Sequence, residues 1–327
     1  MTMRALVTGA TGFVGAHVAR ALYAQGHAVR IWRRPTASLR ALAGVSVEDI
    51  TGDLFDVEAL AQACTGCDWV FHAAAAAQYW RLDVREVYRV NVEGTRAVLE
   101  AARRAGVARV VLTSSGAAVG LREDGAPADE SVPFNLPPGR FPYGHSKWLA
   151  EKAALEAVAG GLDVVIVNPS VVLGPGDLNR VSGDLVVRAA RRQVPMAAPG
   201  GVGVIDVRDA AAAHVAAAER GRAGERYILN AHNVRTRDLI ALIAQVAGVR
   251  PPRFTLPRAL VGPAAALIDA ARALRAPVPM DGNQLRLSAQ FIYFDASKAR
   301  RELGLAARPL EATVRDAWAW YREEGVL

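Results

Sequence analysis

The chain has 327 residues, 52% of them hydrophobic, and a net charge of +7. That length holds one large domain or a domain with a smaller partner lobe, and the apolar content excludes a disordered chain. The positive charge does not point to nucleic acid, because the lysines are Lys147, Lys152 and Lys298 alone and the arginines are scattered without a basic stripe interleaved with aromatics.

Arg4–Thr8 reads as a short apolar strand running into Gly9-Ala10-Thr11-Gly12-Phe13-Val14-Gly15. A helical pattern from Ala16 to Gln25 stops at Gly26, as a helix C-terminus should. A strand at Ala28–Trp32, a helical stretch at Ala37–Leu42, a strand at Val45–Ile50 and a helix at Val57–Ala63 follow. Cys64 and Cys67 are spaced C-x-x-C, but a zinc site needs a second pair and a redox pair should open a helix after a strand. They are expected to be loop thiols, and no metal is expected. Next come a strand at Trp69–His72, a long helix at about 84–105, a strand at Arg109–Thr113, a helix at Tyr143–Val158 and a strand at Asp163–Val167. Strands alternating with helices at this spacing predict an α/β fold with a doubly wound parallel sheet, of the Rossmann type.

Past Pro169 the rhythm changes to glycine, proline and short helices. Ile205–Arg208 and Arg226–Leu229 are expected to return to the sheet, and Ile292–Phe294 to form a short strand. Residues 1–168 are thus the expected dinucleotide-binding domain, with returning segments at about 204–230 and 291–296; residues 169–203 and 231–327 form a smaller, discontinuous substrate lobe. The longest apolar stretch, Leu260 to Ala271, contains Asp269 and is shorter than the ~20 residues that span a bilayer. No leader is expected before the strand at Arg4. A cytoplasmic protein without a membrane span is expected.

The glycine spacing lies where a dinucleotide needs it. Gly9 allows a tight turn, Gly12 lets backbone approach a pyrophosphate, and Gly15 lets helix and strand pack closely. The helix N-terminus adds N–H donors and positive potential, so Thr11, Phe13 and Val14 belong to the expected contact set. The second strand ends in Arg33-Arg34 with no acid to hold ribose hydroxyls, which predicts NADP(H) rather than NAD. Asp53 and Leu54 are expected to flank the adenine.

Tyr143 and Lys147, four apart at the start of a helix, share a face. A lysine in a chain that writes arginine nearly everywhere is informative, because a guanidinium fork does not replace a compact ammonium. Tyr143 suits a general acid once a cation lowers its phenol, and Ser115 can hold a substrate oxygen beside it.

The strings TGATGFVG, GDLFD, FHAAA, NVEGT, VLTSS, YGHSK, NPSVVLGP, IDVRDAAAAH and FDASKARRELG carry a resemblance to the extended short-chain dehydrogenases/reductases over nearly the whole chain. Within them the chain most resembles the dihydroflavonol-reductase-like branch and the hopanoid-associated sugar epimerases. The resemblance implies a catalytic set of Ser115, Tyr143 and Lys147 with Asn91 as helper. It also implies cofactor contacts at Ala73, Ala74, Thr113, Pro169 and Ser170, a phosphate ligand at Arg34, and a homodimer through helices 84–105 and 143–158. The sugar-contacting asparagine of epimerases falls on Val171, their diphosphate arginine on the run 200–204, and the asparagine of plant flavonoid reductases on Gly120. The remaining pocket candidates are Tyr79, Trp80, Gly116, His145, Val171, Leu173, Leu178 and Met196. The expected activity is reduction of a bulky, mostly apolar aldehyde or ketone, or oxidation of the corresponding alcohol. A nucleotide-sugar epimerase or dehydratase is the alternative, with Arg180, Arg188, Arg191 and Arg192 as replacement phosphate ligands.

Overall fold

Successive residues of a strand face opposite sides of a sheet, and here both sides are buried. A computed structural model describes residues 2–77, 83–276, 278 and 281–327. Strands β1 (Arg4–Thr8), β2 (Ala28–Arg33), β3 (Glu48–Thr51), β4 (Trp69–His72), β5 (Arg109–Thr113), β6 (Val164–Pro169) and β9 (Arg226–Leu229) form a parallel sheet in the order β3-β2-β1-β4-β5-β6-β9. Ala5, Val7, Ile31, Phe71 and Val165 pack on α1 (Phe13–Ala24), α7 (Val207–Arg220) and α11 (Ser297–Leu303). Leu6, Val70, Leu112 and Ile166 pack on α2 (Val57–Cys64), α4 (Gly94–Ala105) and α5 (Pro142–Ala159). Strands apolar on both faces are what a sheet covered by helices on both sides demands.

A second sheet has β8 (Gly201–Asp206) at its centre, paired with β7 (Val171–Leu173), β10 (His232–Arg235) and β11 (Phe291–Ile292). Around it α6 (Asp184–Ala190), α8 (Thr236–Ala247) and α12 (Leu310–Glu323) enclose a separate core that includes Leu173, Val204, Ile240 and Tyr321. At its margin α9 (Arg258–Ala273) packs on α10 (Gly282–Ser288) through Val261, Leu285 and Ala289.

Several expectations are corrected. Of the segments expected to return to the main sheet, 226–229 does so as β9, whereas 201–206 and 291–292 pair with each other. The strand expected at Ile205–Arg208 stops at Asp206, whose carboxylate accepts from Arg208 N at 2.8 Å and so caps α7. The helix expected from Ala16 begins at Phe13, because Gly12 takes the extended N-cap conformation. The stretch Ala37–Leu42 is reduced to one 3-10 turn at Arg40–Leu42. The long helix at 84–105 is α3 (Val84–Tyr88), a π-turn at Arg89–Glu93 and α4 in succession. Cys64 ends α2 and both thiols are buried; burial pushes Cys64 up to about 12.

The β1–α1 junction depends on two glycines. Gly9 has φ +72°, and a Cβ on Gly15 would lie 2.3 Å from Gly9 O. Gly15→Val is expected to force α1 off the strand and cost at least ~1–3 kcal/mol. Urea denaturation followed by far-UV circular dichroism measures this, and an unchanged midpoint would contradict the packing described.

Candidate active site

The C-terminal ends of β1, β2, β4, β5 and β6 open onto a cavity of about 1530 Å³. That edge of an open parallel sheet is where ligands bind. One end is walled by the glycine loop, Arg33, Arg34, Asp53 and Leu54, and the middle by Ala73, Ala74, Thr113, Ser115, Tyr143, Lys147, Pro169 and Ser170. The far end includes Gly116, Val171, Arg180, Gln284 and Phe294.

The residues at the loop end fit a dinucleotide. The first turn of α1 has neither a capping side chain nor an acid, so the N–H groups of Phe13 and Val14 are available to a pyrophosphate. Ser170 Oγ is buried with no partner among the described residues, although Ser170 lines the cavity. A buried hydroxyl left without a partner is costly unless a ligand satisfies it. The two arginines at the strand end differ. Arg33 forms a two-pronged bond with Asp49 at 2.8 and 2.7 Å and is already committed. Arg34 is exposed and makes no ion pair among the described residues. Beside it Arg89 lies 4.2 Å over the Phe55 ring and pairs with Glu86.

Beneath the loop runs a chain of buried hydrogen bonds whose polarity can be assigned. The Thr95 hydroxyl donates to Asn91 O at 2.7 Å, so its oxygen accepts from His72 Nε2 at 3.1 Å. His72 Nδ1 is then the acceptor for the Thr8 hydroxyl at 2.7 Å. The ring is a neutral Nε2–H tautomer, and burial lowers it to about 3. This chain ties the ends of β1 and β4 to the π-turn.

The π-turn holds Asn91 in place, and Asn91 in turn holds α5. Its Oδ1 accepts from Ala76 N at 2.8 Å and its Nδ2 donates to Ser146 Oγ at 3.0 Å, while the Ser146 hydroxyl donates to Tyr143 O at 2.7 Å. Asn91 is therefore a positioning residue for the first turn of α5 and does not line the cavity. Tyr143 bonds the Ser115 side chain; burial raises its phenol and that bond opposes the rise. Lys147 Nζ donates to Thr113 O at 2.6 Å. The Thr113 hydroxyl donates the other way, to His214 Nε2 at 3.1 Å, because His214 Nδ1 donates to Ala210 O. One turn beyond Lys147, Glu151 is buried among Ser114, Asn168 and Arg226, and burial raises its carboxyl.

Gly116 and Val171 line the far end, with Phe294 packed where a Cβ on Gly116 would be. The other far-end expectations are corrected. His145 bonds Tyr88 Oη and stacks on Trp148, turned from the cavity on the outer side of α5. Leu173 is consumed by the second core, Leu178 is exposed on the turn built by Asp177, and Met196 is exposed and does not line the cavity. Tyr79 and Trp80 lie outside the described residues. Arg180 and Arg188 do line the cavity, whereas Arg191 donates to Val326 O and neither it nor Arg192 lines it. The run 200–204 is interior to the second sheet and contributes nothing to the cavity. Phe294, Gln284 and Leu287 line the site without having been anticipated there; the late string beginning at Phe294 was the available signal.

Residues 5–230 match the model of the NAD dependent epimerase/dehydratase family. The chain belongs to that family. It is 40% identical over 329 residues to a putative dihydroflavonol 4-reductase of Synechocystis sp., covering 98% of this chain and 95% of the other. It is 34% identical to sterol demethylase protein B of Methylococcus capsulatus, covering 99% and 100%. A solved nucleoside-diphosphate-sugar epimerase from Pseudomonas aeruginosa, 29% identical, superposes with a TM-score of 0.84 over the full length of both chains. Family membership, a Rossmann-like sheet and similarity to reductases thus agree on an oxidoreductase-type family.

Burial lowers the Lys147 ammonium from 10.5 to about 8. The folded chain holds that proton less tightly than the unfolded one. Below about pH 8 both states carry it and the full cost of burying the charge is felt; between pH 8 and 10.5 the folded chain loses it first, and the cost is relieved as pH rises. Lys147→Met, with the bond to Thr113 O lost, is expected to raise stability by about 2 kcal/mol at pH 7 and by progressively less toward pH 10. Urea denaturation at the two pH values measures this; a loss of stability at pH 7 would contradict a costly buried charge.

Proposed function

We propose that the protein is an NADP(H)-dependent carbonyl reductase or alcohol dehydrogenase acting on a bulky, mostly apolar aldehyde or ketone. The observation that carries this is Tyr143, bonded to Ser115 and one turn from Lys147, opening onto a space walled by Val119, Leu121, Leu136, Phe141, Leu287 and Phe294. A nicotinamide dinucleotide would be held by the glycine loop, Ala73, Ala74 and Ser170, and would supply the hydride for the carbonyl carbon. Tyr143 gives its phenolic proton to the carbonyl oxygen and regains one from solvent. Ser115 Oγ holds that oxygen in line, and the Lys147 ammonium stabilises the phenolate that forms. Arg34 pairs with the 2′-phosphate, since Arg33 is held by Asp49. The second sheet with α6, α8, α9, α10 and α12 serves as the substrate lobe, and the helical stretch 84–105 and α5 as a homodimer face.

A second reading, a nucleotide-sugar epimerase or dehydratase, is favoured by Arg180 and Arg188 in the cavity wall. Burying a diphosphate without partners is very costly, so these two side chains are the ones that reading requires. Calorimetric titration with UDP separates the readings: micromolar binding selects the epimerase.

Tyr143→Phe is expected to cut turnover of an authentic carbonyl substrate at least ~100-fold while leaving NADPH affinity intact. Steady-state kinetics and a fluorescence titration together check this, and substantial remaining turnover would remove Tyr143 from its role. NADPH is expected to bind about 10- to 150-fold tighter than NADH, the range for one charge-assisted bond, and Arg34→Glu to abolish that preference. Titrating both cofactors against both proteins reads it directly; a preference that survives Arg34→Glu excludes Arg34 as the phosphate ligand.

A further inference from the structure

Helix α9 turns most of its surface to solvent, and that surface is apolar. Leu260, Leu267 and Leu274 recur every seven residues, which is about two helical turns, so they form one stripe. Leu267 is 72% exposed and Leu274 is 83% exposed. Pro263, Ala266, Ala270 and Ala273 are exposed beside them, and of the helix only Val261 and Ala265 are buried. A second exposed apolar pair precedes α9 in the chain. Phe254 is 70% exposed and lies beside exposed Met196, because Ala197 and Thr255 form a β-bridge. Contiguous apolar surface of this kind marks an interaction site. Among the described residues no helix is long and apolar enough to cross a membrane.

The surrounding charges select the occupant. Exposed Arg250, Arg253 and Arg275 lie in the chain beside the stripe, whereas Arg258 is held against Phe291 and Ala289 O; the one acid in that stretch, Asp269, is paired with Arg286 at 2.9 Å. A second copy on a two-fold axis would set these arginines against one another. An anionic surface instead satisfies them while the leucines leave water. We propose that α9 is a docking helix that lies in the interface of an anionic lipid bilayer, leucines inward and arginines among the headgroups. Arg272 at its end and Gln284 and Leu287 on α10 also wall the active-site cavity. Docking therefore brings the bilayer to the outer face of a helix whose other face borders the substrate end of the cavity, so a bulky apolar carbonyl compound enters from close by. Only this last step rests on the proposed reductase activity; the docking does not.

The test is co-sedimentation of the full chain with phosphatidylcholine vesicles, with and without phosphatidylglycerol. The protein is expected to bind the anionic vesicles, to ignore the neutral ones, and to be released as salt is raised. Combined Leu260→Asp, Leu267→Asp and Leu274→Asp, all on the exposed stripe, is expected to lower the bound fraction at least ~tenfold with the thermal melt and NADPH affinity unchanged. No binding to anionic vesicles by the unmodified chain overturns the proposal. So does undiminished binding of the triple variant, which would leave the arginines alone responsible. A dimer that the triple variant dissociates, without vesicle binding, assigns the face to a second copy instead. Vesicle binding without turnover of any carbonyl compound would leave the docking standing and remove the reductase reading.

Discussion

The buried ammonium of Lys147, set at the C-terminal end of β5, is the constraint around which the site is built. A charge taken out of water must find partners or lose its proton. Thr113 O takes one of its hydrogens, and Glu151, one turn further along α5, adds opposite charge. Glu151 is itself buried and needs company, which Ser114, Asn168 and Arg226 provide. Arg226 opens β9, so the late strand that returns to the sheet also delivers a cation to the buried carboxylate. The requirement of one ammonium thus reaches across β5, β6, β9 and α5.

The two buried histidines near the site have a different part. His72 is lowered to about 3 and His214 to about 4, each by burial. Both are neutral across the physiological range, and each has a tautomer fixed by a carbonyl or hydroxyl at the far end of its hydrogen-bond chain. They act as fixed spacers, one joining β1 and β4 to the π-turn, the other turning the Thr113 hydroxyl toward α7. Tyr143 and Lys147 are left as the titratable pair facing the cavity centre. The π-turn at Arg89–Glu93 serves the same end, since Asn91 bonds both the loop after β4 and the first turn of α5.

The cavity is graded along its length. Arg34 and Arg89 stand at the loop end, hydroxyl and ammonium groups in the middle, and apolar side chains with outlying arginines beyond. This order follows from the fold, because the main sheet supplies the first two zones, and the connection between β5 and α5 shares the third with the segments after Pro169.

What the sequence determined by itself was local. Gly9, Gly12 and Gly15 between a strand and a helix, the Tyr143–Lys147 spacing, and the apolar runs of β1, β4 and β5 depend on neighbours a few residues away, so they were legible as written. Only the tertiary structure decided the rest. An apolar run says that a strand is buried and not in which sheet, so 201–206 could be placed only by its pairing with β7, β10 and β11. Arg33 and Arg34 look alike in sequence, yet Asp49 on the adjacent strand engages one and not the other. His145, Leu173, Leu178 and Met196 are residues of the right kind at the right distance along the chain, but the face of each element that meets the cavity is set by what packs on its other side. Phe294 reaches Gly116 across nearly 180 residues of chain, and no local pattern encodes a contact whose partners meet only once both sheets have formed.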